Sequence, residues 1–245
     1  PNIANGLGMS SSPVVVNGVA IAQVENDADS FTFGLDVTNG TTVWKKQRPK
    51  SANWTSPVVM AKKGQALVGL QSKEGMTAIE PKTGETVWDY QEGASTIPSS
   101  AWAEQGIILI PSNGITALQL DDKLQNFRQI WEDNKLKPGT GSPSCHRGSL
   151  YVINNANVLS CASVKTGEIK WRLRLKGPIS SSPLITKGYL YVFSENGLGQ
   201  VVNLHAEKPE VVHTFDLDAT ILCSPAITQN AILVRSDNKL WKLSN

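Results

Sequence analysis

The feature that most constrains the fold of this chain is a repeat that runs from one end to the other. Ser-Pro pairs recur at regular intervals, and one copy has Ser-Ala in the same place. The anchor pairs are Ser12-Pro13, Ser56-Pro57, Ser100-Ala101, Ser142-Pro143, Ser182-Pro183 and Ser224-Pro225, separated by 44, 44, 42, 40 and 42 residues. A fixed period near 40 residues is typical of solenoids and propellers. We therefore expect one small structural unit, repeated six times.

Each repeat carries the signals of short antiparallel strands. The apolar run after the anchor ends in a tight turn such as Asn17-Gly18 or Arg147-Gly148, where asparagine or glycine supports positive φ. A second strand, another turn and an alternating third strand follow, as in Met76-Thr77-Ala78-Ile79. No helical apolar period extends beyond two turns. Four short strands in each repeat are the make-up of a propeller blade.

The most specific part of the repeat is a turn glycine followed four residues later by tryptophan. It is seen at Gly40 and Trp44, and the same spacing recurs twice. Large rings repeated once per unit wedge between neighbouring sheets and bury about 150–250 Å² each. The structural aromatic column is predicted to consist of Trp44, Trp88, Trp131, Trp171 and Phe215.

These patterns predict an all-β fold, a β-propeller of about six four-stranded blades that fills residues 1–245 as a single domain. The predicted blades span residues 10–50, 51–94, 95–138, 139–177, 178–219 and 220–245. The sixth repeat ends on its third strand, so we expect that blade to lack an outer strand. Either another segment closes the ring, or the chain is part of a seven- or eight-bladed propeller. The start at Pro1, with no signal-type leader, indicates a processed or partial chain.

Composition excludes several classes of function. The formal net charge is +2, and no clustered basic footprint of a nucleic-acid-binding protein is present. No apolar run approaches the length of a membrane span. The three cysteines form no CxxC pair, which favours small buried side chains over a disulfide framework or a zinc site.

The recurring acidic residue, glycine and tryptophan resemble the pyrroloquinoline quinone (PQQ)-type propeller repeat. Three copies keep the spacing, beginning at Asp36, Glu80 and Ser163, and the similarity covers essentially the whole chain. The resemblance implies an extracytoplasmic bacterial setting. Proteins with this repeat include quinone-dependent dehydrogenases, an outer-membrane assembly lipoprotein and sensor domains fused to kinases. The dehydrogenases carry adjacent cysteines, calcium ligands and often a haem segment, none of which is recognisable in this sequence.

No set of catalytic side chains emerges from the sequence. His146, His205 and His213 occupy different places in their repeats, with His146 predicted in a hairpin turn. The polar loop around Asp27 and Asp29 lacks the glycine and distal glutamate of a calcium loop. We therefore predict no catalytic residues, no metal ligands and no cofactor, with PQQ as the alternative.

The remaining candidate is a binding surface. The segments before the anchors are expected to ring the channel mouth of a propeller, and most are small and rich in hydroxyl groups. Trp54 is the large exception, and it lies outside the structural column. A tryptophan in such a place serves as a stacking or partner anchor, plugs the channel or packs on a neighbouring loop. The predicted binding residues are Met9, Asn53 and Trp54.

We therefore expect a non-catalytic extracytoplasmic scaffold, in the periplasm or elsewhere outside the cytoplasm of a bacterium. It would bind a protein or a small ligand at its loop face, with no nucleic acid and no membrane span, and an upstream lipid anchor is compatible with this reading. Two alternatives remain open. One is a PQQ-binding dehydrogenase domain, and the other is a ligand-sensing ectodomain of a multidomain receptor or kinase.

Overall fold

A computed structural model of the protein describes residues 10–205 and 208–244. The chain divides into two compact units, residues 1–132 and 133–245, which we call the N-terminal half and the C-terminal half. Within the described residues, regular structure consists of strands and one 3₁₀ turn at Asn134–Leu136. The predicted all-β class is confirmed.

The N-terminal half carries three antiparallel sheets of four strands, each in sequential order. Sheet 1 comprises β1 (Val14–Val16), β2 (Val19–Val24), β3 (Phe31–Asp36) and β4 (Thr42–Gln47). Sheet 2 comprises β5 (Val58–Lys62), β6 (Gln65–Ser72), β7 (Gly75–Ile79) and β8 (Thr86–Tyr90). Sheet 3 comprises β9 (Ala101–Ala103), β10 (Ile107–Pro111), β11 (Ile115–Leu120) and β12 (Phe127–Asp133).

The C-terminal half carries two sheets of four strands and one of three. Sheet 4 comprises β13 (Ser144–His146), β14 (Ser149–Ile153), β15 (Val158–Ser163) and β16 (Ile169–Arg174). Sheet 5 comprises β17 (Leu184–Thr186), β18 (Tyr189–Phe193), β19 (Leu198–Asn203) and β20 (Glu210–Asp216). Sheet 6 comprises β21 (Ala226–Ile227), β22 (Ile232–Arg235) and β23 (Leu240–Leu243). Each sheet lies within one predicted repeat, and the sixth has no fourth strand among the described residues.

Two-residue turns fix the first hairpin in four of the sheets. Asn17 and Gly18 have φ of 52° and 79°, and Arg147 and Gly148 have φ of 46° and 75°. Two successive positive φ values define a type I′ turn, whose twist matches that of the flanking strands. The turns at Lys63-Gly64 and Lys187-Gly188 share this geometry. His146 precedes such a turn as the last residue of β13, so its predicted place in the turn is wrong by one position.

Serine hydroxyl groups of the anchors join neighbouring sheets within each half. In the N-terminal half, Ser12 N donates to Ser56 Oγ and Ser56 N donates to Ser99 Oγ, each at 2.9 Å. In the C-terminal half, Ser142 N donates to Ser182 Oγ and Ser182 N donates to Ser224 Oγ, also at 2.9 Å. A serine at this position satisfies a backbone donor that the sheet ladder leaves unpaired.

This hydrogen bond corrects the third anchor. The serine equivalent to Ser56 is Ser99, so Ser100 occupies the place of proline, and β9 starts directly after it as β5 starts after Pro57. The spacing comparison had placed the anchor one residue too late because Ser99 and Ser100 are adjacent and identical. The corrected spacings are 44, 43, 43, 40 and 42 residues.

The tryptophans of the column lie opposite the third strand at a bulge. Trp44 pairs with Gly34, Trp88 with Ala78 and Trp171 with Cys161, and the register shifts immediately afterwards in each sheet. An extra residue on the bulged strand directs the ring across the sheet and increases the local twist.

Two predicted members of the column lie elsewhere. In sheet 5 the residue next to the bulge is His213, paired with Val201, and Phe215 lies two residues further along, opposite Gly199. In sheet 3 Trp131 follows the turn-closing carbonyl of Asn126 by five residues, whereas Trp44 follows that of Thr41 by three. In sheet 5 the loop before the fourth strand is two residues longer than in sheet 1, since Val202 pairs with Val211 whereas Leu35 pairs with Thr42. In sheet 3 the turn is as long as in sheet 1, and Trp131 lies two residues further along its strand.

The core consists of apolar clusters between sheets. In the N-terminal half, Met60, Met76, Trp88 and Ile108 belong to one cluster formed by sheets 2 and 3. Val19, Ile21, Val68 and Leu70 join sheets 1 and 2 in another. In the C-terminal half, one such cluster joins sheets 4 and 5 and another joins sheets 5 and 6. No helix within residues 10–205 or 208–244 is long and apolar enough to cross a membrane.

Candidate functional site

In each sheet, the segment before the first strand, the turn between the second and third strands and the connection after the fourth strand lie at the same end of the strands, because the strands are antiparallel. The turn after the first strand and the turn after the third strand lie at the opposite end, which we call the opposite edge. Val37 marks that opposite edge, since its N donates to Gly18 O at 3.1 Å. We call the first of these ends the loop edge. It contains the segments from which binding residues were predicted.

The residues before each anchor serine alternate between interior and surface. The residue directly before the serine points inward, and Thr55 and Ser181 are fully buried. The residue two places before the serine, which we call the tip residue, is more exposed to solvent than the residue directly before the serine. The tip residues are Ser10, Trp54, Ile97, Thr140, Ser180 and Leu222. Three of them are large and apolar.

In the N-terminal half, two large apolar tip residues lie side by side. Trp54 N donates to Thr96 O at 2.8 Å, which joins the segment of Trp54 to the segment of Ile97. Ile97 is 48% exposed and Trp54 is half-buried. Met9 lies outside the described residues, but Ser10 Oγ donates to Trp54 O at 3.4 Å.

Sequence reasoning selected Trp54 and missed Ile97. The misplaced anchor put Ile97 out of register with Trp54, so its equivalence was hidden. The available signal was an isoleucine in a segment otherwise composed of small and hydroxyl-bearing residues. In the C-terminal half, Leu222 is likewise a tip residue that sequence reasoning missed, and it is 56% exposed.

Asn53 is buried, at 4% exposure. Its Nδ2 donates to Glu25 Oε2 at 2.8 Å and to Gln71 O at 2.7 Å. Its Oδ1 accepts hydrogen bonds from Thr55 N and Thr55 Oγ1. The amide therefore orients the Trp54 segment from within the chain. Its predicted contact with a partner remains a prediction, and a direct contact would require these four bonds to open.

Gln71, the penultimate residue of β6, connects the segments of Trp54 and Ile97 from below. Its side-chain Nε2 donates to Ser95 O at 2.6 Å and to Pro98 O at 3.0 Å, on either side of Ile97. Its Oε1 accepts from Ser100 Oγ at 2.6 Å. A buried side chain whose oxygen and nitrogen are both bonded in this way fixes the conformation of the loops it touches.

An ion pair lies beneath the same edge. Arg48 Nε donates to Glu25 Oε1 at 2.6 Å, and both side chains are almost fully buried. Arg48 also donates to Thr77 Oγ1 at 2.9 Å and to Leu70 O at 3.0 Å. Burial raises the pKa of Glu25 above its ordinary value, although Arg48 and Asn53 oppose that shift. The pair thus ties sheet 1 to sheet 2.

The candidate catalytic side chains are separated in the structure. His213 is exposed on β20, His205 is exposed two residues after the end of β19, and His146 is half-buried on β13. Burial raises the pKa of Cys145 to about 12, which keeps its thiol protonated. Asp27 Oδ1 accepts from Ala52 N at 3.2 Å. In the part of the chain that the structure describes, no three His, Cys, Asp or Glu side chains converge as metal ligands.

Comparison with known proteins agrees with the repeat. The family model described as outer membrane protein assembly factor BamB matches residues 5–106 and 115–203. The chain belongs to this family. The BamB of Legionella pneumophila (strain Paris) is 22% identical over 200 residues, which cover 77% of this chain and 49% of that protein. The chain therefore spans about half the length of this curated BamB relative.

Solved structures establish the propeller fold of this BamB-family chain. The crystal structure of BamB from Moraxella catarrhalis superposes with a TM-score of 0.71 at 16% identity, over 94% of this chain and 67% of that one. The computationally designed protein Ika8 gives a TM-score of 0.71 at 12% identity, over 96% and 70% of the two chains. The predicted PQQ-type β-propeller is confirmed.

Proposed function

We propose that this chain is a non-catalytic, protein-binding propeller that acts outside the cytoplasm of a bacterium, in the assembly of outer-membrane proteins. The observation that carries the proposal is the adjacent pair of apolar tip residues, Trp54 and Ile97. The family supports the setting, because its description is that of an outer membrane protein assembly factor.

Single exposed apolar residues are common on protein surfaces and need no function. Trp54 and Ile97 differ because they share one structural position in neighbouring sheets. Their segments are also held by hydrogen bonds that Gln71 Nε2 donates and by the bond from Trp54 N to Thr96 O. Tryptophan is enriched among the residues that dominate binding energy. Loops that are already ordered lose little conformational entropy when a partner docks.

The proposal includes neither a catalytic residue nor a quinone cofactor. Asn53 precedes Trp54 in the sequence, and Gln71 is hydrogen-bonded to the segments of both tip residues. The side-chain oxygen and nitrogen of both amides already form hydrogen bonds within the chain. Trp54 and Ile97 thus offer apolar area rather than polar groups that would fix the orientation of a cofactor. This arrangement favours a protein partner over a small polar ligand.

Site-specific photocrosslinking in the native bacterium tests the proposal. The photoreactive residue p-benzoylphenylalanine replaces Ile97 in the full parent protein, and a second strain carries it at Val37 on the opposite edge, where exposure is 50%. We expect crosslinks from position 97 to a protein of the outer-membrane assembly machinery and none from position 37. Trp54→Ala should reduce the yield at position 97 about tenfold if Trp54 is an anchor.

Equal crosslinking at the two positions, or none at position 97, would overturn the assigned surface. Fractionation supplies the second readout. Recovery of the parent protein in the cytoplasm would overturn the proposed location irrespective of the crosslinks.

A further inference from the structure

The outer edge of sheet 4 is strongly cationic. Its edge strand, β16, alternates between half-buried apolar residues and exposed basic ones, with Lys170, Arg172 and Arg174 exposed. The segment from Lys165 to Lys176, with both lysines counted, contains five basic residues and one acidic residue, Glu168. This concentration contrasts with a net charge of only +2 for the whole chain.

Hydrogen bonds at the end of β16 show which backbone groups face outward. Leu175 N donates inward to Asn157 O at 2.9 Å, whereas Lys176 N donates away from β15, to Gln200 Oε1 at 2.8 Å. Because backbone directions alternate along a strand, the N–H and C=O groups of Arg172 and Arg174 point to the open edge. No described residue forms a strand on that side of β16.

The equivalent positions of sheets 1, 2 and 5 do not carry a second pair of basic residues. Counted from the residue at the bulge, the places of Arg172 and Arg174 are taken by Lys45 and Gln47 in sheet 1. Asp89 and Gln91 take them in sheet 2, and Thr214 and Asp216 take them in sheet 5. All eight residues are exposed. A general need for solubility at sheet edges therefore does not account for the arginine pair.

We propose that the open edge of β16 binds an extended acidic segment of another protein, which adds to sheet 4 as a fifth strand. Peptides that add to an exposed edge gain affinity from backbone hydrogen bonds and specificity from alternate side chains. Acidic residues two positions apart in the added strand would lie directly beside Arg172 and Arg174, since cross-strand neighbours approach to about 5.5 Å. Guanidinium groups bind carboxylates in a bidentate manner.

The charge also decides against a second copy of this chain as the partner. Pairing of two β16 edges would place arginine beside arginine, and like charges that face each other across strands are destabilising. Arg174 Nη1 donates to Ala156 O at 3.0 Å, which holds this guanidinium against its own sheet and leaves its other donors for a carboxylate. Trp54 and Ile97 are not among the residues of this edge, so the proposal does not depend on the function proposed for them.

The probe is a fluorescein-labelled seven-residue peptide in which glutamate alternates with valine, titrated with the full chain and followed by fluorescence anisotropy. We expect saturable binding at low salt that weakens at 500 mM NaCl, because screening shortens the reach of exposed charges. The double variant Arg172→Glu, Arg174→Glu should weaken it at least about tenfold. Lys45→Glu, at the equivalent edge of sheet 1, should leave it unchanged.

Two further peptides separate strand addition from simple charge attraction. N-methylation of alternate amides, which removes backbone donors while keeping the charge, should also weaken binding about tenfold. A lysine-for-glutamate peptide should not bind. Equal affinity for the methylated peptide would overturn the proposal, as would unchanged binding by the double variant. Tighter binding to phosphatidylglycerol vesicles than to the peptide would overturn it in favour of a membrane surface.

Discussion

The buried carboxylate of Glu25 makes the loop edge sensitive to pH. Its pKa is raised above the ordinary value of 4.5 because desolvation outweighs the attraction of Arg48. The folded protein therefore holds the proton more tightly than the unfolded chain does. An acid whose pKa is higher in the folded state contributes most to stability at a pH below its pKa in the unfolded chain. It loses that contribution as the pH rises through its pKa in the folded state.

Glu25→Gln removes this titration. The free energy of unfolding of the natural chain, relative to Glu25→Gln, should fall as the pH rises from 4.5 through the raised pKa, and should then remain level. Urea denaturation at a series of pH values measures the difference. A difference that is constant, or that rises over this range, would contradict the burial-driven shift.

Ser100 illustrates how one departure from the repeat supports the site. Where the other anchors have proline, its hydroxyl donates to the buried Gln71 Oε1 at 2.6 Å. Ser100→Ala leaves this acceptor unsatisfied, so we expect a loss of about 1–3 kcal/mol in the free energy of unfolding. Thr214→Ala, which removes an exposed hydroxyl from β20, should change stability by less than about 0.5 kcal/mol. Urea denaturation at neutral pH measures the free energy of unfolding of both variants, and equal losses would contradict the role of the Ser100 hydroxyl.

At the scale of elements, tryptophans of the fourth strands connect adjacent sheets. Trp44 Nε1 donates to Pro81 O at 2.9 Å in the next repeat, and Trp88 Nε1 donates to Leu124 O at 3.0 Å. Trp44 also lies between two glycines, because a Cβ at Gly34 would be 2.5 Å from the ring and one at Gly84 would be 2.6 Å away. The ring is therefore confined from both sides as well as hydrogen-bonded.

This confinement makes Gly34 intolerant of a side chain. Gly34→Ala should lower the free energy of unfolding by about 1–3 kcal/mol, because the added methyl group overpacks a ring that cannot move aside. Sheet 2 provides the matched control, since Ala78 already lies opposite Trp88. Ala78→Gly should cost only about 0.5–1 kcal/mol through backbone entropy. Thermal unfolding of the two variants gives the comparison, and equal losses would contradict the role of the ring.

At the scale of the whole molecule, the PQQ-type repeat is shared by proteins with different functions, and a fold alone does not decide among them. The family match favours an assembly factor, whereas the quinone-binding alternative would use Trp54 as a stacking residue. These two readings assign different partners to the same side chain. A binding measurement separates them.

We expect no saturable change in tryptophan fluorescence or quinone absorbance when PQQ and calcium are added up to high micromolar concentrations. The physical reason is that Trp54 and Ile97 present apolar area on loops whose amides are already engaged. Trp54→Ala is the control for any response that does occur. A saturable change that this variant abolishes would contradict the protein-binding proposal and support the quinone alternative.

The sequence by itself determined the repeat, the strand content and the first-hairpin turns. These features are local: asparagine and glycine set the turn at Asn17-Gly18, and alternation of side chains sets the strands. That the sixth repeat reaches only its third strand within residues 220–245 was also predicted, and the described residues of that repeat form three strands. The prominence of Trp54 was visible because it interrupted a run of small residues.

Only the tertiary structure decided which residues are equivalent and which are buried. The anchor at Ser99 is identified by a hydrogen bond from Ser56, 43 residues away, and spacing alone could not choose between two adjacent serines. Phe215 left the predicted column because the bulge and the longer loop of sheet 5 shift the ladder. Asn53 lies inside because it bonds to Gln71 of its own repeat and to Glu25 of the preceding repeat. Contacts between distant parts of the chain, which no local pattern encodes, place Ile97 beside Trp54 at the loop edge, the surface that we propose for partner binding.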